Sequence, residues 1–516
     1  MGDYQPLRSD SDCRTTVRNR IKYMKENDKQ NVYYNPPMST LRAIAFSCSI
    51  LVCILTICVF LWVIPCHWAT CPIQKATSWD KVYYGLELKG PLSLVHGTQG
   101  LNIVAMFQSA SWGFDSKDIF PSNSGGIISL IGNTGVIAWW SQLVTIPTHL
   151  DCSQIDPDKN GVFDCMVIGD SYIGIIDSLS GVIIWSLQNK SHMVNNETIE
   201  GISFPVVTPD VNKDGVFDIL VICKLSSYEH HVLLLISGKT GQMIGKPLEN
   251  KSCIDIDNLM VESKGFSYLY SYTCKRETNN DFSFSAYNIE TLTFQEMVFK
   301  ITNNSIRSSG HGPILQTLAK SKEWIIGNHR LNMINTGPCP TNCSVTVNVT
   351  GDKDQTVYFH TAKQTYGMKP LVLHFNDTIS GFLLKFWQWG SAINLTLSNS
   401  SLLYIQSITE SIVLLTFNGS KPIDIVNASQ ADVVQLCVSK ICQPKLEFQT
   451  DSLLLVDLDR DGYQELISYI VTYKTNEDNC SSNCTSKDKW KLQTKVRVIR
   501  LQAEILKLYE KIEHKR

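Results

Sequence analysis

Read only for hydrophobic and polar positions, the chain falls into three textures. Residues 1–42 are polar and too short of apolar side chains to form a core, which predicts a disordered tail. From Ala43 to Ile64 (AIAFSCSILVCILTICVFLWVI) run 22 residues without a charge, apolar on every face and long enough to cross a bilayer as a helix with some tilt. The segment begins too far from the N-terminus, and is too long, for an ordinary cleaved signal, and no small-x-small site precedes Pro65. After a stalk at 65–80 the pattern changes to short apolar runs separated by Gly, Asn, Asp and Ser, with little helical period before the final residues. That pattern predicts an all-β domain over 81–508 and a charged C-terminal tail over 509–516.

Two repeats organise the β region. One is a strand, a tight glycine turn and a second strand: Ile128–Trp139 around Gly135, Ile173–Trp185 around Gly181, Leu233–Pro247 around Gly241, and a degenerate copy at Phe284–Phe294. The other is an acidic loop that leads into an apolar run. Asp210-Val-Asn212-Lys-Asp214-Gly215-Val-Phe217-Asp218 has near copies at Asp156-Pro-Asp158-Lys-Asn160-Gly161-Val-Phe163-Asp164 and Asp457-Leu-Asp459-Arg-Asp461-Gly462-Tyr-Gln-Glu465. Loop and hairpin alternate in a fixed order, and Asp156 and Asp210 stand 54 residues apart. A unit of three or four antiparallel strands at this period is a β-propeller blade; the length after the stalk accommodates seven blades, or eight. Phe382–Trp389 and Ile412–Gly419 are expected as strands of later blades, and a last strand pairing with the first blade would close the ring.

The acidic loops carry the candidate chemistry. Oxygen-bearing side chains at positions 1, 3, 5 and 9 converge, and Gly at position 6 makes the turn, which is the arrangement of a hard-cation site, most simply Ca²⁺. The candidate ligands are Asp156, Asp158, Asn160 and Asp164; Asp210, Asn212, Asp214 and Asp218; and Asp457, Asp459, Asp461 and Glu465. An EF-hand shares the first six positions but needs Glu at position 12, where Val167, Val221 and Ser468 stand here.

Charge and cysteines bear on the compartment. The net charge is −2, and no basic block points to nucleic acid. Eight basic and five acidic residues precede the apolar segment, while the remainder has an acidic excess, so the positive-inside rule predicts a cytosolic N-terminus in a single-pass type II layout. Thirteen glycosylation sequons, at Asn189, Asn196, Asn250, Asn303, Asn342, Asn348, Asn376, Asn394, Asn399, Asn418, Asn427, Asn479 and Asn483, all lie after the segment. Of 17 cysteines, Cys66/Cys71, Cys339/Cys343, Cys437/Cys442 and Cys480/Cys484 read as short disulfide loops in an oxidising compartment, with Cys253/Cys274 a further pair. Cys165 and Cys223, inside apolar strands, are expected as buried free thiols.

The loops resemble the FG-GAP repeats of integrin α-subunit propellers, a resemblance that implies Ca²⁺ coordination at the twelve positions named above. The hairpins ending in Trp139 and Trp185 are similar to quinoprotein-type propeller repeats. A basic tail, one span, few FG-GAP loops and the strand Phe-Leu-Leu-Lys-Phe-Trp387-Gln-Trp389 together resemble the type II FG-GAP membrane proteins known as family with sequence similarity 234. That resemblance implies architecture and no enzymatic activity. The expectation is a non-enzymatic glycoprotein of the plasma membrane or endomembrane system, integral to the membrane, whose Ca²⁺-stabilised propeller binds protein partners. The alternatives are an accessory subunit of another membrane protein, or a Golgi-type glycosyltransferase using Asp156-Pro-Asp158 or Asp457-Leu-Asp459. The latter requires α/β nucleotide-binding units, and no helical crossovers separate the strands. No Ser/His/Asp or Cys/His constellation stands out.

Overall fold

The computed structural model describes residues 39–63, 78–97, 100–111, 124–187, 199–249, 255–264, 267–275, 283–288, 323–351, 354–375, 379–396, 402–418, 424–438, 441–475 and 490–504. The chain divides into two compact units, Met1–Pro72 and Ile73–Arg516. In the first, helix α1 (Thr40–Val63) covers the apolar segment, and its side chains Phe46, Leu51 and Leu55 are exposed. Among the described residues, which leave out the side chains of 58–63, no helix is long and apolar enough to cross a membrane. Most of the expected 1–42 tail, the stalk before Ser78 and the 509–516 tail lie outside the described residues.

The second unit is a β-propeller, with seven sheets among the described residues. The first blade is β2 (Leu86–Gly97), β3 (Gly100–Ser109), β4 (Gly125–Ile131) and β5 (Ile137–Leu143). The second is β6 (Pro147–Ile155), β7 (Asp164–Gly169), β8 (Tyr172–Ile176) and β9 (Ile183–Leu187). The third is β10 (Ile199–Thr208), β11 (Asp218–Leu225), β12 (Val232–Ile236) and β13 (Leu248–Glu249). The fourth holds β14 (Asp255–Lys264), β15 (Ser267–Lys275) and β16 (Ser283–Asn288). The fifth is β17 (Glu323–Ile326), β18 (His329–Thr336), β19 (Ser344–Thr350) and β20 (Thr356–Lys363). The sixth is built on the long strands β23 (Ile379–Thr396), β24 (Leu402–Asn418) and β25 (Asp424–Val438). Its short strands β21 (Thr365–Gly367) and β22 (Leu371–His374) pair with β23, and β26 (Ile441–Gln443) pairs with β25. Phe382–Trp389 and Ile412–Asn418 thus lie in strands, as their apolar pattern predicts.

The seventh blade shows how the ring closes. Strands β27 (Leu453–Val456), β28 (Glu465–Thr475) and β29 (Trp490–Arg500) come from the C-terminus, and β1 (Trp79–Tyr84) from the other end of the chain completes the sheet, Trp79 opposite Val498 and Tyr84 opposite Gln493. The closing strand is therefore the first one, added to the last blade, rather than a last strand added to the first. Either arrangement removes a free edge, since the backbone groups of β29 find partners on both sides.

The inner strands β7 and β11 are dry on both faces. Every residue of β7 is buried, as is all of β11 except Lys224, because odd and even side chains face different neighbours. Met166 and Ile168 pack toward the third blade, while Cys165 and Val167 pack toward the first. This explains apolar runs without alternation.

A tryptophan recurs at the outermost strand. Trp79 of β1, Trp139 of β5 and Trp185 of β9 each lay the ring on the hairpin glycine of the next blade, Gly135, Gly181 and Gly241. Each indole N–H donates to a carbonyl of that hairpin: Gly132 (2.8 Å), Ser178 (3.0 Å) and Gly238 (2.8 Å). A Cβ on Gly181 would come 2.5 Å from the Trp139 ring, and its φ of +76° independently favours glycine.

A second contact system ties the connector between the sixth and seventh blades, including α2 (Leu446–Gln449), to β2. Glu87 of β2 is fully buried and accepts from Gln443 Nε2 (2.9 Å) and from the Lys445 N–H (2.6 Å). Gln443 in turn accepts from Tyr473 Oη (2.6 Å) and the Ser111 N–H (2.9 Å). Burial pushes the Glu87 carboxyl up to about 7, against the pull of these donors.

The disulfides Cys339–Cys343 and Cys437–Cys442 form as the spacing suggests, and Cys223 is a buried free thiol. Cys165 is not: it bonds Cys152 of the adjacent strand. Their separation of 13 positions hid a contact that exists only because β6 folds back along β7. The pairs Cys66/Cys71 and Cys480/Cys484 lie outside the described residues, as does Cys253.

Two outcomes follow. Trp139→Ala should lower unfolding free energy by about 3–5 kcal/mol in denaturant titration, as expected for a buried tryptophan. The Glu87 carboxyl binds its proton more tightly folded than unfolded, so its contribution is fully present below pH 4.5 and lost as pH rises through about 7. Glu87→Gln, which cannot ionise, should flatten that part of the stability profile, an effect of roughly 1–3 kcal/mol.

Candidate metal centres

The three acidic loops occupy one topological position, the connection from the first to the second strand of a blade: β6 to β7, β10 to β11 and β27 to β28. In a four-stranded meander the turn between third and fourth strands lies at the same end, so each loop meets its own blade's glycine hairpin where that turn is present. The Ser178 N–H donates to Asp164 Oδ1 (3.0 Å), Ser237 Oγ to Asp214 Oδ2 (2.9 Å), and the Gly238 N–H to Asp218 Oδ1 (3.4 Å).

The local conformation is the same three times. Position 4 sits in the left-handed region at Lys159 (φ 59°), Lys213 (62°) and Arg460 (56°), and position 6 does so at Gly161 (86°), Gly215 (85°) and Gly462 (90°). The backbone then curls around the first carboxylate. Asp156 accepts from the N–H groups of Asn160 (3.2 Å) and Gly161 (2.9 Å). Asp210 accepts from those of Asp214 (3.0 Å) and Gly215 (2.7 Å), and Asp457 from those of Asp461 (3.0 Å) and Gly462 (2.8 Å).

The ligand sets differ in detail. Oxygens of Asp156, Asp158 and Asp164 lie within 4.8 Å of one another, as do those of Asp457, Asp459 and Glu465. No such trio forms in the second loop, where Asp214 turns to Ser237 and Asn212 Nδ2 (2.8 Å) and Asp218 Oδ2 accepts from the N–H groups of Val211 (2.7 Å) and Asn212 (3.3 Å). Asn160 Nδ2 bonds Asp158 Oδ2 (2.9 Å), with its Oδ1 held by the Val162 N–H (2.7 Å).

Position 9 starts the buried strand, and that sets its electrostatics. Burial pushes Asp164 up to about 7, Asp218 to about 6 and Glu465 to about 7. Asp164 Oδ2 and Glu465 Oε1 are buried with no hydrogen-bond partner, a costly state that a cation would relieve. The first loop therefore fits a hard cation best. In the third, the Arg500 guanidinium bonds Asp461 and reaches Asp459 Oδ2 at 3.5 Å, bringing a positive charge of its own. Sequence reasoning missed Arg500, which lies on β29 far along the chain, and the hairpin serines, whose recurrence in the turns was the available signal.

Four of the sequon asparagines have described side chains. Asn342 and Asn427 are exposed, Asn418 is half-buried, and Asn348 is half-buried in β19 with its Oδ1 enclosed. Asn394 lies in β23, its side chain outside the described residues, and the other eight sequons lie outside them altogether.

Fold and site together define a β-propeller with acidic turns at the head of three blades. Residues 115–276 match the family model described as FAM234A/B beta-propeller. The chain is similar to Protein FAM234B of Mus musculus, 23% identical over 231 residues that cover 44% of this chain and 35% of that one. The Homo sapiens protein of that name is 27% identical over 138 residues, 27% of this chain and 21% of the relative. The chain thus spans about a third or less of the curated relatives' length. Among solved structures, BBS1N in complex with ARL6DN covers 83% of this chain and 97% of its own at 9% identity and TM-score 0.30. BamB from Moraxella catarrhalis covers 79% and 85% at 11% identity and TM-score 0.21.

In a calcium-free buffer, Arg500→Met should leave Asp459 and Asp461 uncompensated and cost about 1–3 kcal/mol of stability by chemical denaturation. An unchanged midpoint would show that the guanidinium is not part of the third loop's charge balance.

Proposed function

We propose that the chain is a single-pass type II membrane glycoprotein of the FAM234 type, with a calcium-stabilised FG-GAP propeller that serves as a non-enzymatic binding platform outside the cytosol. The observation that carries the reading is the direction of the acidic loops. In the second and third blades their carboxylates turn onto the hairpin of their own blade, through Ser178, Ser237 and Gly238, and in the seventh Asp459 and Asp461 turn onto Arg500 of β29. A cation there fastens a loop to the head of a buried strand. Asp156, Asp158, Asn160 and Asp164 would hold it in the second blade, Asp210, Asn212, Asp214 and Asp218 in the third, and Asp457, Asp459, Asp461 and Glu465 in the seventh. When bound it neutralises carboxylates that otherwise repel one another.

Several facts support the remainder. The apolar side chains of α1 are exposed, as a lipid-facing helix requires. Basic residues precede it, and every sequon follows it. The disulfides suit an oxidising compartment. The glycosyltransferase alternative loses its support, because Asp156-Pro-Asp158 and Asp457-Leu-Asp459 sit in blade turns and not in an α/β nucleotide-binding unit.

Two experiments test this reading. Removal of N-glycans from the cell-expressed protein should lower its apparent mass strongly, and the protein should resist alkaline carbonate extraction; failure of both would remove the type II assignment. Chelation of the calcium-loaded protein should lower its melting temperature. Asp164→Ala should blunt that response more than Asp461→Ala, because Arg500 already compensates the third loop. A melting temperature indifferent to chelation would overturn the calcium assignment.

A further inference from the structure

The sixth blade ends in a long free edge. Its strand β25 has 15 residues, where the outer strands β5, β9 and β20 of other blades have seven, five and eight. Strand β26 pairs only with residues 436–438 of β25, so residues 424–435 present an unpaired edge among the described residues. Every residue from 424 to 428 is exposed, and so are Gln430 and Asp432. Two of these are large and apolar: Ile425 is 54% exposed and Val426 49%.

The register shows which way these side chains face. Ile425 stands opposite Leu415 and Asn427 opposite Val413, residues of the cluster between the fifth and sixth blades. Val426 stands opposite Leu414, which belongs to the cluster between the sixth and seventh. Cross-strand partners share a face, so the free strand carries an apolar side chain on each face. Such an edge is a template for another strand, and natural edges are blunted by shortness, Lys, Pro or a bulge. Residues 424–435 hold no Lys and no Pro, and the one register shift there leaves Ala428 without a partner on β24. Ala428 is the middle residue of the sequon Asn427-Ala-Ser429, and Asn427 is exposed on the same face as Ile425.

We propose that an N-linked glycan on Asn427 shields this edge and keeps β25 from pairing with β25 of a second copy. The proposal rests on the glycoprotein reading above, since a chain outside the cytosol receives such a glycan. In the transfer, Asn427 Nδ2 bonds the anomeric carbon of a lipid-pyrophosphate-linked oligosaccharide. The lipid pyrophosphate leaves with the electron pair of the C–O bond, and one Nδ2 proton goes to solvent. A strand added to the bare edge would lie about 4.7–4.9 Å from β25. A residue opposite Asn427 would then bring its Cβ to about 4.5–5.5 Å from that of the asparagine, on the same face. The first sugar on Nδ2 competes for that space, and the bulky, hydrated remainder of the glycan stands on the face of Ile425. The glycan thus does for this edge what brevity does for β9. A second copy is the occupant that fits the bare edge: it offers the same apolar pair and the same unpaired backbone groups, and antiparallel pairing about a twofold axis satisfies both at once.

The test uses the full chain, purified in detergent from cells that attach N-glycans. Enzymatic glycan release in heavy-oxygen water converts each occupied asparagine to a labelled aspartate, and mass spectrometry should find Asn427 labelled in nearly all molecules. Light scattering on a sizing column should place several-fold more material in species of higher mass for Asn427→Gln and for Ser429→Ala than for the wild type, at an unchanged melting temperature. Ser429→Thr, which keeps the sequon, should behave as the wild type does. Adding Ile425→Lys to Asn427→Gln should restore the wild-type mass, because a charged edge resists a second strand, and that result separates edge pairing from misfolding. An unlabelled Asn427 in a chain whose other sequons are labelled would overturn this proposal alone, whereas a chain with no labelled asparagine would remove the glycoprotein reading as well. Sequon-less variants of wild-type mass, or association that Ile425→Lys does not reverse, would overturn the shielding role.

Discussion

Each blade has to keep two faces dry at once. A sheet in a sandwich shows one face to water, but the blades of this ring pack on a neighbour to either side, so β7 and β11 hold buried side chains at odd and even positions alike. Hydrophobic clusters fill the junctions of the first with the second blade, the second with the third and the third with the fourth. Others fill the junctions of the fifth with the sixth, the sixth with the seventh and the seventh with the first. The indoles of Trp79, Trp139 and Trp185 extend the same packing to the blade ends, where each one needs a glycine on the next hairpin because no side chain fits beneath the ring.

That dryness sets the chemistry of the acidic loops. The last ligand position is also the first residue of a buried strand, so Asp164, Asp218 and Glu465 are removed from water by the blade and not by the loop. A carboxylate in such a place needs backbone donors, a cation or a proton. The second loop supplies donors from Val211, Asn212 and Gly238, while the first leaves Asp164 Oδ2 and the third Glu465 Oε1 without a hydrogen-bond partner, the third setting an arginine against Asp459 and Asp461 close by. One motif therefore has three different electrostatic outcomes, each set by what the neighbouring turn and strand contribute.

Closure joins the two themes. Strand β1 seals the edge of β29, its Trp79 and Tyr83 reach the turn of the first blade, and Ser78 meets the backbone of the arginine that serves the third loop. The connector carrying Gln443 and Lys445 closes the same region from inside by bonding Glu87. The beginning of the propeller, its end and one acidic loop are thus held by a few shared contacts, and disturbing any one of them loads the others.

Much of this was legible in the residues. The interval between Asp156 and Asp210, the strand that follows each loop and the glycine hairpins are local patterns, and they were enough to imply repeated antiparallel blades. Local pattern does not report which strand lies beside which, so Cys165 looked like a lone thiol until β6 placed Cys152 next to it. Arg500 lay in the all-β domain with no partner assigned until β29 carried it to Asp459 and Asp461. The direction of ring closure came out opposite to the expectation, because local pattern does not say which terminal strand seals which sheet edge. What the sequence determined by itself was the unit, its turns and its oxygen-rich loops, since these depend on φ preferences and on spacings within a few residues. What the tertiary structure decided was the partner of each buried charge and thiol, because burial and pairing are properties of neighbouring blades and not of the segment that carries the group.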